Sequence, residues 1–306
     1  MDFDQHLVDI WLERAVNEFN TNPLSPRLIR RMADEFPDLF MVATLKYLDS
    51  ADQSSAHRFL ASVLLRQPSV FEEVANPAFG SRQRAVGLFS RLLAVDPSAD
   101  VKLARMLPDR NGLNHSEAFD SAHSARALDI LNETSVGRRL LPILSHLVDS
   151  SDPRTSEKAT LFIGRRIQSV SWAARQLRRD DPRVRANAVE AIWGLKSAAA
   201  TGLLEDCVAD HCNRVAGNAL VGLHMAGKPG VAEHITGIVS APKPLFRSTA
   251  AWTMGKIGDA NFVSQLVSLL RDDHPEVRSA ALRSLIQLRR APVKQPEETI
   301  GKKSAA

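Results

Sequence analysis

Five stretches of this chain superpose on one another, and that periodicity limits the possible fold more than any other feature. Aligned on Pro153, Pro182, Asn213, Pro244 and Pro275, they follow at steps of 29, 31, 31 and 31 residues. Six positions after each anchor stands an alanine: Ala159, Ala188, Ala219, Ala250 and Ala281. Ten positions after it comes a larger apolar residue, Ile163, Ile192, Leu223, Met254 or Leu285. Two positions after it comes Thr155, Val184, Val215, Phe246 or Val277. Offsets of 2, 6 and 10 lie on one face of a helix, about a turn apart. The small residue in the middle marks where a neighbouring helix comes close, because a larger side chain would overpack the contact.

A second helix completes each unit. After Met254, GKIGDA is expected to break the first helix with two glycines, and Asp259 to cap the next. That helix would carry Phe262, Val263, Leu266, Leu269 and Leu270 on one face. RDDHPEVR then brings Pro275 to a helix start, where its missing N–H is harmless. Each unit therefore reads helix A, turn, helix B, turn. No stretch alternates with period two, so no strands are expected. One helix pair cannot bury both its apolar faces, but a stack of pairs can. The expected fold is all-α: an α-solenoid, a right-handed superhelix of stacked antiparallel helix pairs.

The segment AAWTMGKIGDANFVSQLVSLLRDDHPEVRSAALRSL strongly resembles the short HEAT-like repeats of many bacterial proteins, including phycobilisome-lyase-type subunits. DDPRVRANAVEAIWGL is a second match, and the acidic turn followed by Val-Arg recurs as Asp180, Asp181, Val184, Arg185 and as Asp272, Asp273, Val277, Arg278. The resemblance is sharp over 181–290, fair over 116–180 and a weak helical echo over 1–115. It departs from the pattern at Cys212–Asn213 and Lys243–Pro244, where the acidic turn residues are missing. It implies that Arg and Asp of the turns, among them Arg185, Arg247 and Arg278, tie neighbouring units together, and that the B helices line a concave face. The signatures of tetratricopeptide and ankyrin arrays are absent.

Outside the regular part, the first third still reads as helices, over 27–35, 38–49, 54–66, 69–75, 80–94 and 98–106. Before these, Leu7, Ile10, Trp11 and Ala15 trace a helical stripe. The polar run 108–116 is a candidate hinge or surface loop. Three regions follow: an irregular helical part (1–115), HEAT-like repeats (116–290), and a tail (291–306) whose prolines and charges mark it as disordered.

Composition narrows the function. Thirty-nine Lys plus Arg against 35 Asp plus Glu leave a net charge of only +4, a weak field for a nucleic-acid binder. The start, MDFDQHLVDIWLERAV, has no basic segment of a secretory signal, and no apolar run is long enough to cross a bilayer. Two cysteines, Cys207 and Cys212, give no disulfide framework, so a cytoplasmic protein is expected. Their spacing, with Asp210 and His211 between them, does not match the CxxC half-sites of structural zinc, and Cys207 reads as a core residue beside Leu203, Leu204 and Val208. HEAT-repeat iron enzymes of the deoxyhypusine hydroxylase kind hold metal with His–Glu pairs; none of the nine histidines here is followed by glutamate. No HExxH or phosphate-binding loop occurs. No cofactor, metal or catalytic residue is expected.

Helical wheels of the B helices give the candidate surface. The helix over 136–148 would expose Arg138, Ser145 and His146; that over 168–180, Trp172, Arg175 and Arg179; that over 198–210, Glu205, Asp206 and Ala209. Further along come Glu233 with Thr236, then Ser264 with Ser268. A groove running from basic and aromatic to acidic to neutral argues against a nucleic-acid backbone, which needs cations continued from unit to unit. It suits a protein or peptide, for which Trp beside Arg is a favoured contact. The expected function is a non-enzymatic scaffold or adaptor holding such a partner on its concave face. The alternatives are a bilin-lyase-like subunit and a DNA-binding relative of HEAT-type alkylpurine glycosylases. At the last A helix, Leu282 and Ile286 lie where a further B helix would cover them, so the edge is expected to need a cover from the tail, a partner or a second copy.

Overall fold

The computed structural model describes residues 5–49, 54–113, 119–135 and 137–290, and among them every regular element is a helix. The chain divides into two compact units, Met1–Trp172 and Ala173–Ala306. The tail expected to be disordered, 291–306, lies outside the described residues.

The first unit runs α1 (Gln5–Asn17), α2 (Ser25–Glu35), α3 (Pro37–Leu48), α4 (Ser55–Leu64), α5 (Ser69–Ala75), α6 (Arg82–Val95), α7 (Ala99–Met106), α8 (Ser121–Thr134), α9 (Leu141–Leu144) and α10 (Pro153–Ile167), and the division between the units falls within α11 (Val170–Gln176). Successive helices pack on one another: α1 on α2 and α3, α4 on α6, α6 on α8, α8 on α10. Side chains start several of them. Ser54, Ser81, Asp120 and Asp152 each accept a backbone N–H of the first turn that has no partner inside the helix.

Two sequence expectations change here. In α1 the buried face is Val8, Leu12 and Ala15, while Leu7, Ile10 and Trp11 are more than 40% exposed. The helix carries two apolar registers side by side, and packing on α2 and α3 selects the one offset from the expected stripe. The B helix expected over 136–148 is only the single turn α9 followed by a 3-10 turn, Ser145–Asp149. Ahead of this short element, Arg166 of α10 holds the end of α8. Its guanidinium donates to the carbonyls of Leu131 and Ser135 at 3.2 and 2.7 Å, and stacks on the Phe162 ring 3.5 Å away.

The second unit holds the regular repeats: α12 (Pro182–Ala191), α13 (Ala198–Val208), α14 (Asn213–Met225), α15 (Val231–Val239), α16 (Pro244–Ile257), α17 (Val263–Leu269) and α18 (Pro275–Arg290). The A helices α12, α14, α16 and α18 lie each on the next, and α13, α15 and α17 pack against them. This is the all-α, solenoid-type arrangement that the 31-residue period implies. Every alanine at offset six is buried, as are the residues at offset two except the half-buried Phe246.

Glycine has a different role from the one expected in GKIGDA. Gly258, with φ +80°, ends α16 in the left-handed conformation that favours glycine. Gly255 stays inside the helix and is buried, because Ser284 of α18 lies against it. A Cβ there would meet the Ser284 Oγ at 2.5 Å and its backbone Cα at 2.9 Å. The following B helix opens on a 3-10 turn, Ala260–Phe262, started by the Asp259 side chain. Val263 of α17 is exposed, in contrast to Phe262, Leu266 and Leu269.

The turn arginines form a ladder. Arg185 donates from Nη1 to the carbonyls of Arg179 and Asp180, at 3.1 and 2.9 Å, and from Nη2 to Asp210 of the next unit at 3.4 Å. Arg247 repeats the pattern, with Nη1 on the carbonyls of Ala241 and Pro242 and the other edge on both oxygens of Asp272. Each carboxylate lies 25 residues beyond its arginine. Between these rungs one is missing on both sides: Ala216 stands at the arginine position and Ala241 at the aspartate position. There Asn213 bridges instead, donating from Nδ2 to Thr249 Oγ1 at 2.6 Å.

Candidate partner-binding surface

The six candidate residues divide between the units. In the first, Arg138 is exposed and its Nε donates to the carbonyl of Arg166 at 2.9 Å. His146 is half-buried, with ring Nε2 2.9 Å from the carbonyl of Pro108, so that nitrogen carries the proton. It lines two adjoining pockets. One, of about 220 Å³, has Ala104, Leu107 and Ile143 in its wall; the other, of about 460 Å³, has Arg110, Asp149 and Ser151.

Trp172 corrects the sequence reading. It is only 9% exposed, so it belongs to the packed interior and not to an open aromatic surface. The wheel drawn over 168–180 assumed one continuous helix. The chain instead passes through a left-handed residue, Gln168 at φ +49°, and α11 covers only Val170–Gln176. A helix that starts late and ends early turns a different side outward. Its first turn is held by Ser169, whose Oγ accepts from the Trp172 N–H at 3.3 Å.

In the second unit Arg175 is exposed, whereas Arg179 is half-buried in the turn that Arg185 grips. Glu205 is exposed on α13, as the wheel predicts, together with Asp206 and Ala209. Its carboxylate pairs with Lys228 Nζ at 2.7 Å. The pair sits on the rim of a pocket of about 310 Å³ formed where α13, α14 and α15 meet. Val208, Leu220, Leu223 and Val231 make the apolar floor, and His234 stands beside Lys228 and Pro229 at the mouth.

Sequence reasoning missed the contribution of Lys228 and His234. The signal lay in the turn GKPG, whose two glycines, Gly227 and Gly230, take φ +77° and +81° and carry Lys228 back toward α13. An apolar floor under a charged rim can hold one or two apolar side chains and orient the segment that carries them.

Among the described residues no cluster of three or more His, Cys, Asp or Glu side chains is placed to hold a metal. Cys207 is buried on α13, and burial, with Asp210 and Asp206 nearby, pushes its thiol up to about 11. No described helix is long and apolar enough to cross a membrane.

Residues 233–297 match the family model described as HEAT repeats; the match does not single out the phycobilisome-lyase type. No curated protein matches the chain. Among solved structures, human deoxyhypusine hydroxylase in complex with glycerol is 15% identical, with a TM-score of 0.35, over 88% of this chain and 99% of that one. An engineered protein is 15% identical, with a TM-score of 0.33, over 92% of this chain and 88% of that one.

Proposed function

We propose that this HEAT-repeat protein is a non-enzymatic, cytoplasmic scaffold or adaptor that holds a protein or peptide partner on the face its B helices present. The observation that carries this reading is the pocket between α13, α14 and α15. Its floor is apolar, with Val208 half-buried over the buried Leu220, Leu223 and Val231, and Glu205, Lys228 and His234 are the charged and polar residues of its lining. About 310 Å³ suits an apolar anchor side chain, and the mixed-sign rim suits the polar surround of a protein contact.

The test is quantitative capture from the native cell with the full chain and with a Glu205→Arg, His234→Ala variant, both substitutions being at exposed positions. The expected result is one or more proteins retained by the wild type and depleted at least about tenfold by the variant, at unchanged helicity and melting. Identical captured sets, or a covalent change in a bound molecule that the chain turns over, would reject the reading.

A further inference from the structure

Among the described residues, α18 leaves one rung of the repeat ladder open. In α12, α14 and α16, each packed on a following A helix, the residue seven positions after the anchor is buried: Val189 is 0%, Leu220 1% and Ala251 0% exposed. The equivalent residue of α18, Leu282, is 52% exposed, and Ile286 one turn later is 43% exposed. The arginine beside them is set for the same use as its predecessors. Arg278 Nη1 donates to the carbonyls of Asp272 and Asp273 at 2.7 and 2.9 Å, at the same sequence separations as in Arg185 and Arg247. In both predecessors the other guanidinium edge takes an aspartate from the next unit. In Arg278 that edge meets no carboxylate among the described residues.

We propose that the outer face of α18 docks an amphipathic helix of a partner protein, led by an acidic turn, which occupies the place of a further A helix. The interface would continue the one already made between α16 and α18. Charge selects the occupant: α18 carries Arg278, Arg283, Arg289 and Arg290 against the single Glu276. A second copy using the same face would set these arginines against each other. The chain's own residues 291–306 place Lys303, not a carboxylate, 25 positions after Arg278, and offer only Val293 and Ile300 as large apolar side chains. A partner helix with an aspartate three residues before its start and small residues along its contact face meets both the apolar and the ionic requirement. This site is separate from the α13–α15 pocket and does not depend on that pocket binding anything.

A fluorescein-labelled peptide of residues 206–226, with Cys212→Ser, is a suitable probe. It carries α14 and Asp210, which in the chain already answer Arg185. Its Gly222 accommodates a bulky neighbour: a Cβ there would meet the Trp193 ring at 2.9 Å. Fluorescence anisotropy with the full chain is expected to show saturable binding. Asp210→Asn in the peptide or Arg278→Gln in the protein should weaken it about tenfold. Leu282→Asp should abolish it at unchanged melting, and Glu205→Arg should leave it intact. No saturable binding, or binding indifferent to both Arg278→Gln and Leu282→Asp, would overturn the proposal. So would binding that appears only after residues 291–306 are removed, which assigns the face to the chain itself. A doubling of mass in light scattering that Leu282→Asp abolishes assigns it to a second copy and overturns the proposal equally.

Discussion

Arg247 holds both carboxylate oxygens of Asp272, at 2.7 and 2.9 Å, across the joint between two repeats. The pair is little exposed, and its planar fork geometry gives it more directional strength than a single surface ion pair has. The guanidinium hydrogen bonds, against an opposing desolvation, hold the Asp272 carboxyl down at about 2.

Acid should reveal this pair. The folded value lies below the unfolded one of about 3.9, so the stabilisation is complete above that pH and is lost as pH falls through about 2. Asp272→Asn is expected to lower the melting temperature at pH 7 by about 2–4 °C and to flatten its dependence on pH between 2 and 4. Thermal melts of both proteins across that range check it; parallel curves would rule the pair out as a determinant.

Gly255 and Gly237 should respond oppositely to alanine. At Gly255 the new methyl group would collide with Ser284, including its backbone Cα, so Gly255→Ala should cost about 1–3 kcal/mol. Gly237 in α15 has nothing within 4 Å of the added carbon, so Gly237→Ala should stabilise by about 0.5–1 kcal/mol through helix propensity. Denaturant titration of the two variants would expose any error of sign.

Trp172 and Arg175 lie three residues apart on α11 yet differ in burial. Trp172→Ala removes a large side chain that is 9% exposed and should destabilise by about 3–5 kcal/mol. Arg175→Ala, at an exposed position, should stay within about 0.5 kcal/mol of wild type. Urea unfolding distinguishes them; equal midpoints would return Trp172 to the open surface.

The two cysteines should label unequally. Cys207 is buried with a thiol raised to about 11, whereas Cys212 is half-buried at the start of α14. At pH 8 the folded chain is expected to react with a thiol reagent mainly at Cys212, and Cys207 only after denaturation. Mass-mapped modification at early times decides; prompt labelling of Cys207 would contradict its placement.

What the sequence made legible was the part governed by repetition. A small residue forced by helix contact returns at the same offset, so the spacing of Ala188, Ala219, Ala250 and Ala281 is enough to announce the stack. The turn arginines were readable for the same reason, and their loss at Ala216 could be paired with Ala241 only once the 25-residue rung was seen. Local ambiguity defeated the rest. Gly255 is a close-approach glycine and Gly258 a helix-ending one, yet a single sequence shows two identical letters. Leu7 and Val8 begin competing apolar registers that only tertiary packing can rank. Trp172 was misplaced because a wheel carries no information about the left-handed Gln168 ahead of it. The pocket under Glu205 was invisible because three helices and a GKPG turn build it jointly.

The alanine-for-alanine gap at positions 216 and 241 leaves one rung of the ladder without its ion pair, with the hydrogen bond from Asn213 to Thr249 in its place. High salt and low pH therefore loosen the couplings on either side of it while sparing this one. The two repeat units joined through Asn213 and Thr249 are expected to stay together while the ionic joints on either side give way.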